Sequence, residues 1–366
     1  MNDHDLNDPS LRILVWQWGR RGAGPRFAVE LAASLDALGG VVGLLSLSTQ
    51  SEQMNGRDLP DCALPIDTYS GLAGYLWRVL TVPTRLPGLC AALRRLAPDI
   101  AICAMPAPLD LLMASALRVL GIPYYVMVHD ADAHPGDGFP MQMTLQRLLV
   151  RGAHGLVTLS GHITQRLHDR GEVRGRTLIR LYHPPFAFGP DPQPPGAHSG
   201  PLRLLFFGRL LPYKGLGLFV DTLRQLDNAV PMTVRVIGQG PETEALASLR
   251  AMPGVQVENR WVPEAEIGAL LAWADAVVLS HTEASQSGVA AAAVAARRWV
   301  VATRVGGLVE QLQDEPLARL AAPDAQSLAG AIASLVTDPP QRTADHRAGR
   351  SWRDLAAKLI AQIRAG

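Results

Sequence analysis

The sequence has few cysteines, no long hydrophobic run and almost no excess of charge of either sign. Its three cysteines, Cys62, Cys90 and Cys103, lack the Cys-x-x-Cys spacing of metal sites, so we expect reduced core thiols in a cytoplasmic protein. No window offers the ~20 uninterrupted apolar residues of a membrane span. A net charge of +1 argues against a protein that coats nucleic acid. The start, MNDHDLNDPS, is acidic and polar, the reverse of a signal peptide.

Short apolar runs alternate with helical patterns along all 366 residues. The strand-like runs are 11–18, 41–48, 99–106, 124–130 and 155–160, then 202–208, 233–240, 255–261, 275–280 and 299–303. They lack the period-2 alternation of half-exposed strands, which is typical of parallel sheets covered on both faces. The Pro- and Gly-rich stretch 186–201 predicts a linker. We therefore predict an α/β protein with two doubly wound, Rossmann-like domains, 1–185 and 202–345.

In doubly wound domains ligands gather at the carboxyl ends of the strands, so the loops there matter most. The first strand after the linker ends in GRLLPYKG, where Arg209 and Lys214 precede a helix. Two cations beside a glycine turn suit a diphosphate, although solvated surface charges explain them as well. The next strand ends in GQG, and tight turning explains Gly238 and Gly240 about as well as ligand contact does.

The stretch EASQSGVAAAAV follows the strand at 275–280 and joins a polar cluster to a small-residue helix. Glu283 can accept hydrogen bonds from hydroxyl groups. The N–H groups of Ser287, Gly288 and Val289 can meet an anion at the helix start. This combination suits a sugar joined to a nucleotide diphosphate. The plainer alternative is an ordinary N-cap at Ser287.

The first strand of the chain ends in GRRGAGPRF, where glycines open a helix. Gly22 and Gly24 are not part of a G-x-G-x-x-G pattern, and no acidic residue ends the next strand convincingly, so a dinucleotide site is not expected. With Arg20 and Arg21 in the turn, the loop can still face a second phosphate-bearing ligand.

The stretch HDADAHPGDG allows three interpretations. It contains His129, Asp130, Asp132, His134 and Asp137. The D-x-D pattern is used with Mn²⁺ or Mg²⁺ in single-domain sugar transferases, but it also arises by chance or as solvated charge. In the third interpretation, His129 lies at a strand end, faces the cleft and donates a hydrogen bond to a substrate hydroxyl.

Taken in order, FFGRLLPYKG, VIGQGPE, WVPEAEIGALLAWADAVVLS, EASQSGV and VVATRVGG resemble the carboxyl-terminal half of family 4 glycosyltransferases of the GT-B fold. VHDADAHPG and LVTLSGHITQRL resemble the amino-terminal half. The resemblance covers most of the chain. It implies two facing Rossmann-like domains with a cleft between them, and sugar transfer with retention and without a metal cofactor. It also implies a final helix, 346–366, that returns to the first domain.

The resemblance assigns roles by motif. It implies that Arg209 and Lys214 hold the diphosphate, Glu283 meets the sugar hydroxyls and His129 lies beside the reacting sugar. The implied donor-binding residues are Gly208, Gly238, Gly240, Arg260, Ser287, Gly288 and Val289, and the implied cleft loop of the first domain contains Gly22 and Gly24.

Three departures from the family pattern concern the donor side. The Glu that holds the ribose in many members is Ala291 here, as is common in the EASQSGV subgroup, so ribose recognition is left unassigned. The usual Gly-x-Pro is ARRW, and the Asp expected before VGG is Arg304. These changes keep two alternatives open: a catalytically silent nucleotide-sugar-binding partner and a GT-B nucleotide-sugar epimerase.

Segment 68–98 bears on the acceptor. It contains no acid, and its basic and aromatic residues are Arg78, Arg85, Arg94 and Arg95 with Tyr69, Tyr75 and Trp77. Such a segment suits an anionic membrane surface at the inner face of the cell membrane. The acceptor is then a lipid-linked saccharide, as in surface polysaccharide or lipopolysaccharide assembly, rather than a free saccharide. An ordinary buried helix with solvated arginines is the alternative.

Overall fold

The chain forms two parallel-sheet domains joined by a linker, in a computed structural model that describes residues 10–55, 59–132, 141–189, 193–226, 230–341 and 350–365. Each sheet has six strands among these residues, and helices cover both of its faces. The predicted fold class is therefore confirmed.

The first sheet has the strand order β2-β1-β3-β4-β5-β6. Its strands are β1 (Leu11–Gln17), β2 (Val41–Leu47), β3 (Ile100–Cys103), β4 (Tyr124–Val128), β5 (Gly155–Thr158) and β6 (Thr177–Arg180). Its helices are α1 (Ala23–Asp36), α2 (Gly71–Leu80), α3 (Val82–Leu96), α4 (Asp110–Leu120), α5 (Gln142–Gly152) and α6 (Gly161–Asp169). The direction of winding reverses between β1 and β3, which opens a crevice at their carboxyl ends.

The second sheet has the order β12-β11-β10-β7-β8-β9. Its strands are β7 (Leu202–Phe207), β8 (Met232–Gly238), β9 (Val255–Asn259), β10 (Ala276–Leu279), β11 (Trp299–Thr303) and β12 (Ala318–Ala321). The helices that follow the linker are α7 (Leu216–Leu226), α8 (Glu244–Arg250), α9 (Glu264–Trp273), α10 (Gly288–Ala295), α11 (Gly306–Leu312), α12 (Ala325–Thr337) and α13 (Trp352–Ala365). Here the reversal lies between β7 and β10.

The central strands are apolar on both faces, which is why their sequences show no alternation. Ile13, Leu14 and Val15 are consecutive and fully buried, and they divide between two hydrophobic clusters on opposite faces of the sheet. The sequence missed β6 and β12. Both are four residues long, lie at sheet edges and carry an arginine, Arg180 or Arg319, so they offer little hydrophobic signal.

Buried polar groups fix the linker to the second domain. Asp275 accepts hydrogen bonds from the N–H of Gly196 (2.8 Å), from His198 Nε2 (2.8 Å) and from the N–H of Arg203 (2.9 Å). Arg298 is buried and donates to the carbonyls of Ala274, Ala296 and Gln193. The ARRW departure therefore serves the linker rather than the donor pocket, because Arg298 holds the linker carbonyl of Gln193.

Helix α13 packs on the first domain, beside α1. Leu355, Leu359 and Ile363 join the hydrophobic cluster that also contains β1 and α1 residues. Trp352 Nε1 donates to the carbonyl of Pro185 at 2.9 Å. The last described helix thus returns from the second domain to the core of the first.

Segment 68–98 forms two helices with different environments. Helix α3 buries Leu89, Cys90 and Leu93, as the buried-helix alternative requires. Helix α2 buries none of its residues, and its apolar side chains Leu72, Leu76, Trp77, Val79 and Leu80 are exposed. Among the described residues, no helix has the length and apolar character needed to cross a membrane.

Candidate donor and acceptor sites in the cleft

The loops after β7 and β10 form one hydrogen-bonded unit at the switch point of the second sheet. Ser280 Oγ donates to the carbonyl of Gly215 at 2.9 Å, and the Thr282 N–H donates to the carbonyl of Tyr213 at 2.9 Å. Gly215 has φ +71°, and a Cβ there would lie 1.8 Å from the Ser280 carbonyl oxygen. These contacts bring the Arg209 and Lys214 loop against the loop that carries Glu283.

The cations of this unit have partners that the sequence did not reveal. Arg209 donates to the Tyr213 hydroxyl at 3.0 Å, and Lys214 Nζ donates to His281 Nε2 at 2.8 Å. Because an ammonium can only donate, Nε2 of the buried His281 must be the unprotonated nitrogen. Tyr213 stands in the GRLLPYKG motif but carries no charge, and His281 follows the strand at 275–280, so in the sequence neither is marked as a partner of these cations. Glu283 is exposed in the same loop cluster.

The start of α10 is capped by its own side chain and by a glutamine from α11. Ser287 Oγ accepts the N–H of Ala290 at 3.3 Å, so the N-cap interpretation holds. The Ser287 N–H donates to Gln311 Oε1 at 3.0 Å, and Gln311 Nε2 donates back to the Ser287 carbonyl at 3.0 Å. The expectation that the Ser287 N–H stands open for a phosphate is therefore wrong for this structure. Gly288 and Val289 are the first residues of the helix proper.

The glycines assigned to donor binding are required by backbone packing. A Cβ on Gly238 would lie 1.6 Å from the Gly208 carbonyl oxygen, and one on Gly240 would lie 2.1 Å from that of Leu210. Gly208 itself has φ +116°, and its Cβ would lie 3.2 Å from the Val289 side chain. These glycines let the ends of β7 and β8 and the start of α10 approach one another.

Arg260 was assigned to donor binding, but its described contacts are with carboxylates on the domain surface. Its guanidinium donates to Glu258 at 2.9 Å and to Glu266 at 2.7 Å. The hydrogen bonds that Arg260 donates to Glu266 and then to Glu258 raise its pKa further above its already high ordinary value. In this structure the arginine organises the region where β9 leads to α9.

Two glycines of the VGG motif pack against the backbone of the loop that contains Glu283. The Gly307 N–H donates to the Ala284 carbonyl at 2.8 Å, and a Cβ on Gly307 would lie 1.8 Å from the Ser285 carbonyl oxygen. Gly306 has φ +46°, and a Cβ there would lie 2.0 Å from the Ala284 carbonyl oxygen. The glycine pair of VGG is the sequence signal for this close approach.

His129 lies at the end of β4, where the sequence placed it, but both ring nitrogens are engaged. Nε2 donates to the Ala104 carbonyl at 2.7 Å, and Nδ1 accepts from Gln286 Nε2 across the cleft. Burial lowers the pKa of His129, so the ring is neutral at pH 7. The expected hydrogen bond to a substrate hydroxyl is not available in this arrangement; His129 instead holds the donor loop through Gln286.

The second carboxylate of the D-x-D pattern, Asp132, is engaged in ion pairs. Asp132 accepts from Arg166 at 2.6 Å and also pairs with Arg170. His134 and Asp137 lie outside the described residues. Across the described part of the chain, no group of three His, Cys, Asp or Glu could hold a metal ion.

Ion pairs and hydrogen bonds to two carboxylates join the two domains beside the cleft. Glu310 of α11 accepts the N–H groups of Gly161 (2.7 Å) and His162 (2.8 Å) at the start of α6, and Arg180 donates to it at 2.8 Å. On the other side, Arg26 of α1 donates to Glu264 of α9 at 2.9 Å. The relative position of the two sheets is thus set by side chains from both.

The cleft loop of the first domain combines an N-cap with close packing. Gly22, with φ +85°, is the N-cap of α1, and its nearest neighbour across the cleft is Trp261. A Cβ on Gly24 would lie 2.8 Å from Gln17 Nε2 and 3.1 Å from the Met105 sulphur. Gly24 therefore makes room for Gln17 at the end of β1.

A cavity of about 330 Å³ opens at the switch point of the first sheet. It lies between the loops after β1 and β3 and helix α5, and it is lined by Gln17, Gly19, Arg20, Arg21, Tyr69, Met105, Pro106, Ala107, Pro108, Asp110, Leu111, Gln142, Leu145, Gln146 and Leu149. We call it the β1–β3 cavity. It occupies the same position in the first domain that the Arg209 and Lys214 loop occupies in the second.

Ala291 does not face the donor loops. It is buried in the hydrophobic cluster of the first domain, and its carbonyl accepts the N–H of Phe186 from the linker at 3.2 Å. A longer side chain at position 291 would have to leave this hydrophobic cluster before it could bind a ribose. Arg304, the other departure on this side, is exposed.

Family comparisons match the two halves separately. A model described as a glycosyl transferase 4-like domain matches residues 22–182, and one described as glycosyl transferases group 1 matches residues 201–338. A 2-deoxystreptamine glucosyltransferase of Streptomyces kanamyceticus is 27% identical over 274 residues, which cover 65% of this chain and 67% of the relative.

Solved structures share the arrangement of both domains. HepE of Anabaena in complex with UDP and glucose has a TM-score of 0.65 at 17% identity, over 97% of this chain and 95% of the other. The UDP-GlcNAc 2-epimerase of Neisseria meningitidis bound to UDP-GlcNAc has a TM-score of 0.60 at 9% identity, over 97% and 100%. At these identities the likeness establishes the fold. With the two family matches, one on each sheet, it identifies the chain as a glycosyltransferase of the GT-B type, in which a glycosyl transferase 4-like domain precedes a group 1 glycosyl transferase domain.

Proposed function

We propose that the chain transfers a sugar from a nucleotide-diphosphate sugar to a hydroxyl of a saccharide or lipid-linked acceptor, with retention at the anomeric carbon. The observation that carries the donor assignment is the joined pair of loops after β7 and β10. They bring Arg209 and Lys214, two cations suited to a diphosphate, against the exposed carboxylate of Glu283. A glucosyltransferase relative and a fold neighbour bound to UDP and glucose favour UDP-glucose as the first donor to test.

In the proposed reaction the bond between the anomeric carbon and the diphosphate oxygen breaks, and its electron pair leaves with the nucleoside diphosphate. A new bond forms from the same carbon to the acceptor hydroxyl oxygen, and the hydroxyl proton passes to the departing diphosphate. Arg209 and Lys214 stabilise the charge that develops on the leaving group. Glu283 orients the donor by accepting hydrogen bonds from sugar hydroxyls.

His129 has a positioning role in this proposal. Its neutral ring accepts a hydrogen bond from Gln286, and Gln286 precedes the N-cap Ser287 in the donor loop. The ring therefore ties β4 of the first domain to the donor loop of the second. Because two side-chain cations are present to stabilise the diphosphate, we propose that the reaction proceeds without a metal cofactor.

For the acceptor we propose the first domain, at the cytoplasmic face of the membrane. The exposed apolar side chains of α2 support an acceptor side that meets lipid, as in the assembly of bacterial surface polysaccharide or lipopolysaccharide. We propose no nucleic-acid partner, since the chain carries a net charge of +1.

A thermal-shift screen of the purified protein against UDP-, GDP-, ADP- and dTDP-linked sugars, with and without EDTA, tests the donor site. We expect one nucleotide class to raise the melting temperature, with no effect of EDTA. Glu283→Ala should remove the shift, whereas Glu258→Gln, an exposed carboxylate on β9, should keep it. A folded protein that responds to no donor would contradict the proposal.

Product analysis then separates the transferase from its alternatives. A transferase releases nucleoside diphosphate and a glycosylated product only when acceptor is present. A silent partner binds the donor without turnover. An epimerase, a class that shares this fold, changes the configuration of the sugar without any acceptor, and the altered sugar stays bonded to the nucleotide.

A further inference from the structure

The β1–β3 cavity carries charge that donor binding does not explain. Arg20 and Arg21 are the only cations among its described lining residues, and both are exposed. Asp110 is the only acid among them and is buried. Its Oδ2 accepts the Ala107 N–H at 2.6 Å, and Cys103 Sγ donates to the same oxygen at 3.3 Å. The exposed charge among the described lining residues is thus positive.

Burial of Asp110 reduces the negative charge that this residue contributes to the cavity. Transfer out of water raises the pKa of the carboxyl to about 7, against the lowering effect of its hydrogen bonds. A substantial fraction of the group is therefore neutral at pH 7. Among the described lining residues, an anion at the mouth of the cavity meets two guanidinium groups and one buried, partly neutral carboxyl.

Helix α2 begins at the rim of this cavity. Tyr69 lines the cavity, and its ring packs edge-on against Tyr75 of α2 with centroids 5.2 Å apart. The Arg20 guanidinium lies 5.1 Å from the centroid of the Tyr69 ring. Arg20 and the helix therefore belong to one continuous surface, with Arg21 next to Arg20 in the chain.

The exposed apolar side chains of α2 include a stripe at helical spacing. Leu72, Leu76 and Leu80 follow one another at intervals of four residues and therefore share a face. Their exposed fractions are 74%, 54% and 75%. An apolar chain laid along this stripe would cover surface that the fold leaves in water.

We propose that the β1–β3 cavity and the Leu72–Leu76–Leu80 stripe together bind an amphiphilic anion, with its phosphate on Arg20 and Arg21 and its apolar chain along α2. Resting on the proposed function, this names the acceptor class: a phosphate-bearing amphiphile rather than a neutral saccharide. The shared chemistry covers two sources, a headgroup held in a bilayer and a freely dissolved amphiphile.

Calorimetric titration with decyl phosphate below its critical micelle concentration tests the proposal. Inorganic phosphate supplies the anion without the apolar chain, and decyl glucoside supplies the apolar chain without the anion. We expect decyl phosphate to bind at least tenfold more tightly than either. Arg20→Ala combined with Arg21→Ala should lower decyl phosphate affinity at least tenfold and leave decyl glucoside unchanged. Leu76→Glu should weaken decyl phosphate and leave inorganic phosphate unchanged.

Matched controls lie on the second domain. Arg224→Ala removes an exposed arginine of α7, and Val336→Glu charges an exposed apolar position of α12, so both should bind decyl phosphate as the unaltered chain does. Equal affinity of the Arg20 and Arg21 double variant, or equal binding of decyl phosphate and decyl glucoside, overturns the proposal. Circular dichroism of each variant confirms that the exposed substitutions leave the fold intact.

Flotation with phosphatidylglycerol vesicles identifies the source. Flotation that is lost in the Arg20 and Arg21 double variant and in Leu76→Glu assigns a bilayer headgroup. Decyl phosphate binding without flotation assigns a dissolved amphiphile. A parallel UDP-glucose titration separates the two proposals: donor binding without amphiphile binding overturns this inference alone, and amphiphile binding without any donor response overturns the proposed function alone.

Discussion

The two domains place their candidate sites at the same topological position and build them differently. In each sheet the site lies where the first strand of the domain meets its neighbour across the reversal, β1 with β3 and β7 with β10. On the donor side, loop-to-loop hydrogen bonds from Ser280 and Thr282 hold the cations in place. On the acceptor side, the same crevice is an open cavity with arginines at its mouth.

The surfaces around the two sites differ as well. Among the described residues, the exposed large hydrophobic side chains lie in the first domain, apart from Val336 on α12. Burial of apolar area is favourable, so a domain that leaves such a set in water retains a surface suited to a partner. The same doubly wound scaffold thus supplies one site that is closed by its own loops and one that is bordered by unburied apolar surface.

The largest expected effect tests whether Ala291 belongs to the donor site or to the core. Its side chain is buried beside the linker, so Ala291→Glu would place a carboxylate among apolar groups and overfill the space. We expect the variant to lose about 3–4 kcal/mol of unfolding free energy. Urea denaturation measures this, with Val336→Glu as an exposed control. Normal stability combined with tighter donor binding would instead place residue 291 in the donor site.

Lys214→Ala tests the donor half directly. Removing one preorganised cation from the leaving group should lower kcat/KM by about a hundredfold, on the order of 2.7 kcal/mol. The chain has only one other lysine, Lys358, whose Nζ lies 5.1 Å from the Tyr182 ring centroid away from the donor loops. Lys358→Ala is therefore the matched control and should retain activity. A loss of less than tenfold in Lys214→Ala would remove the lysine from the mechanism.

Asp110 gives the acceptor half a pH dependence of its own. Its pKa is raised to about 7 by burial, so between pH 4 and 7 the folded chain holds a proton that the unfolded chain has released. Stability therefore falls as pH rises through this window, by on the order of 2 kcal/mol between pH 5 and 8. Asp110→Asn should flatten that fall in urea denaturation, whereas Asp221→Asn, an exposed control on α7, should not. An unchanged slope in Asp110→Asn would show that the carboxyl ionises normally.

The sequence predicted the architecture well because strand burial leaves a direct pattern. Ile13 and Val15 belong to an apolar run that only a two-faced sheet explains. The sequence singled out the loop after β7 because Arg209 and Lys214 are charges that follow a strand, and its donor-binding role stays a prediction. It could not show that the Ser287 N–H is occupied, since Gln311 reaches it from 24 residues away through the fold.

Long-range partners also explain the other differences. His129 lies where predicted, but its tautomer depends on Ala104 and Gln286, which are far from it in sequence. The β1–β3 cavity was invisible as a unit, because Gln17 and Asp110 meet only when β1 pairs with β3. The sequence of a single loop therefore shows which polar groups it carries, whereas the order of strands in the sheet decides which of these groups come into contact.

The smallest expected effect concerns the clasp between the two halves. Partial burial alone would raise the pKa of Glu310, but the N–H groups of Gly161 and His162 and the charge of Arg180 outweigh it and lower the pKa. A carboxyl whose pKa is lowered by folding stabilises the fold at pH values above its ordinary pKa. This contribution is lost as the pH falls through the folded-state pKa. Glu310→Gln should therefore cost about 1 kcal/mol at pH 7, and this difference from the unaltered chain should shrink at an acidic pH at which the folded-state carboxyl takes up its proton. Denaturation midpoints at both pH values measure it, with Glu258→Gln on the exposed β9 as control. A difference of unchanged size at the acidic pH would mean that Glu310 acts by packing, and that the two halves are joined by contacts other than this charge.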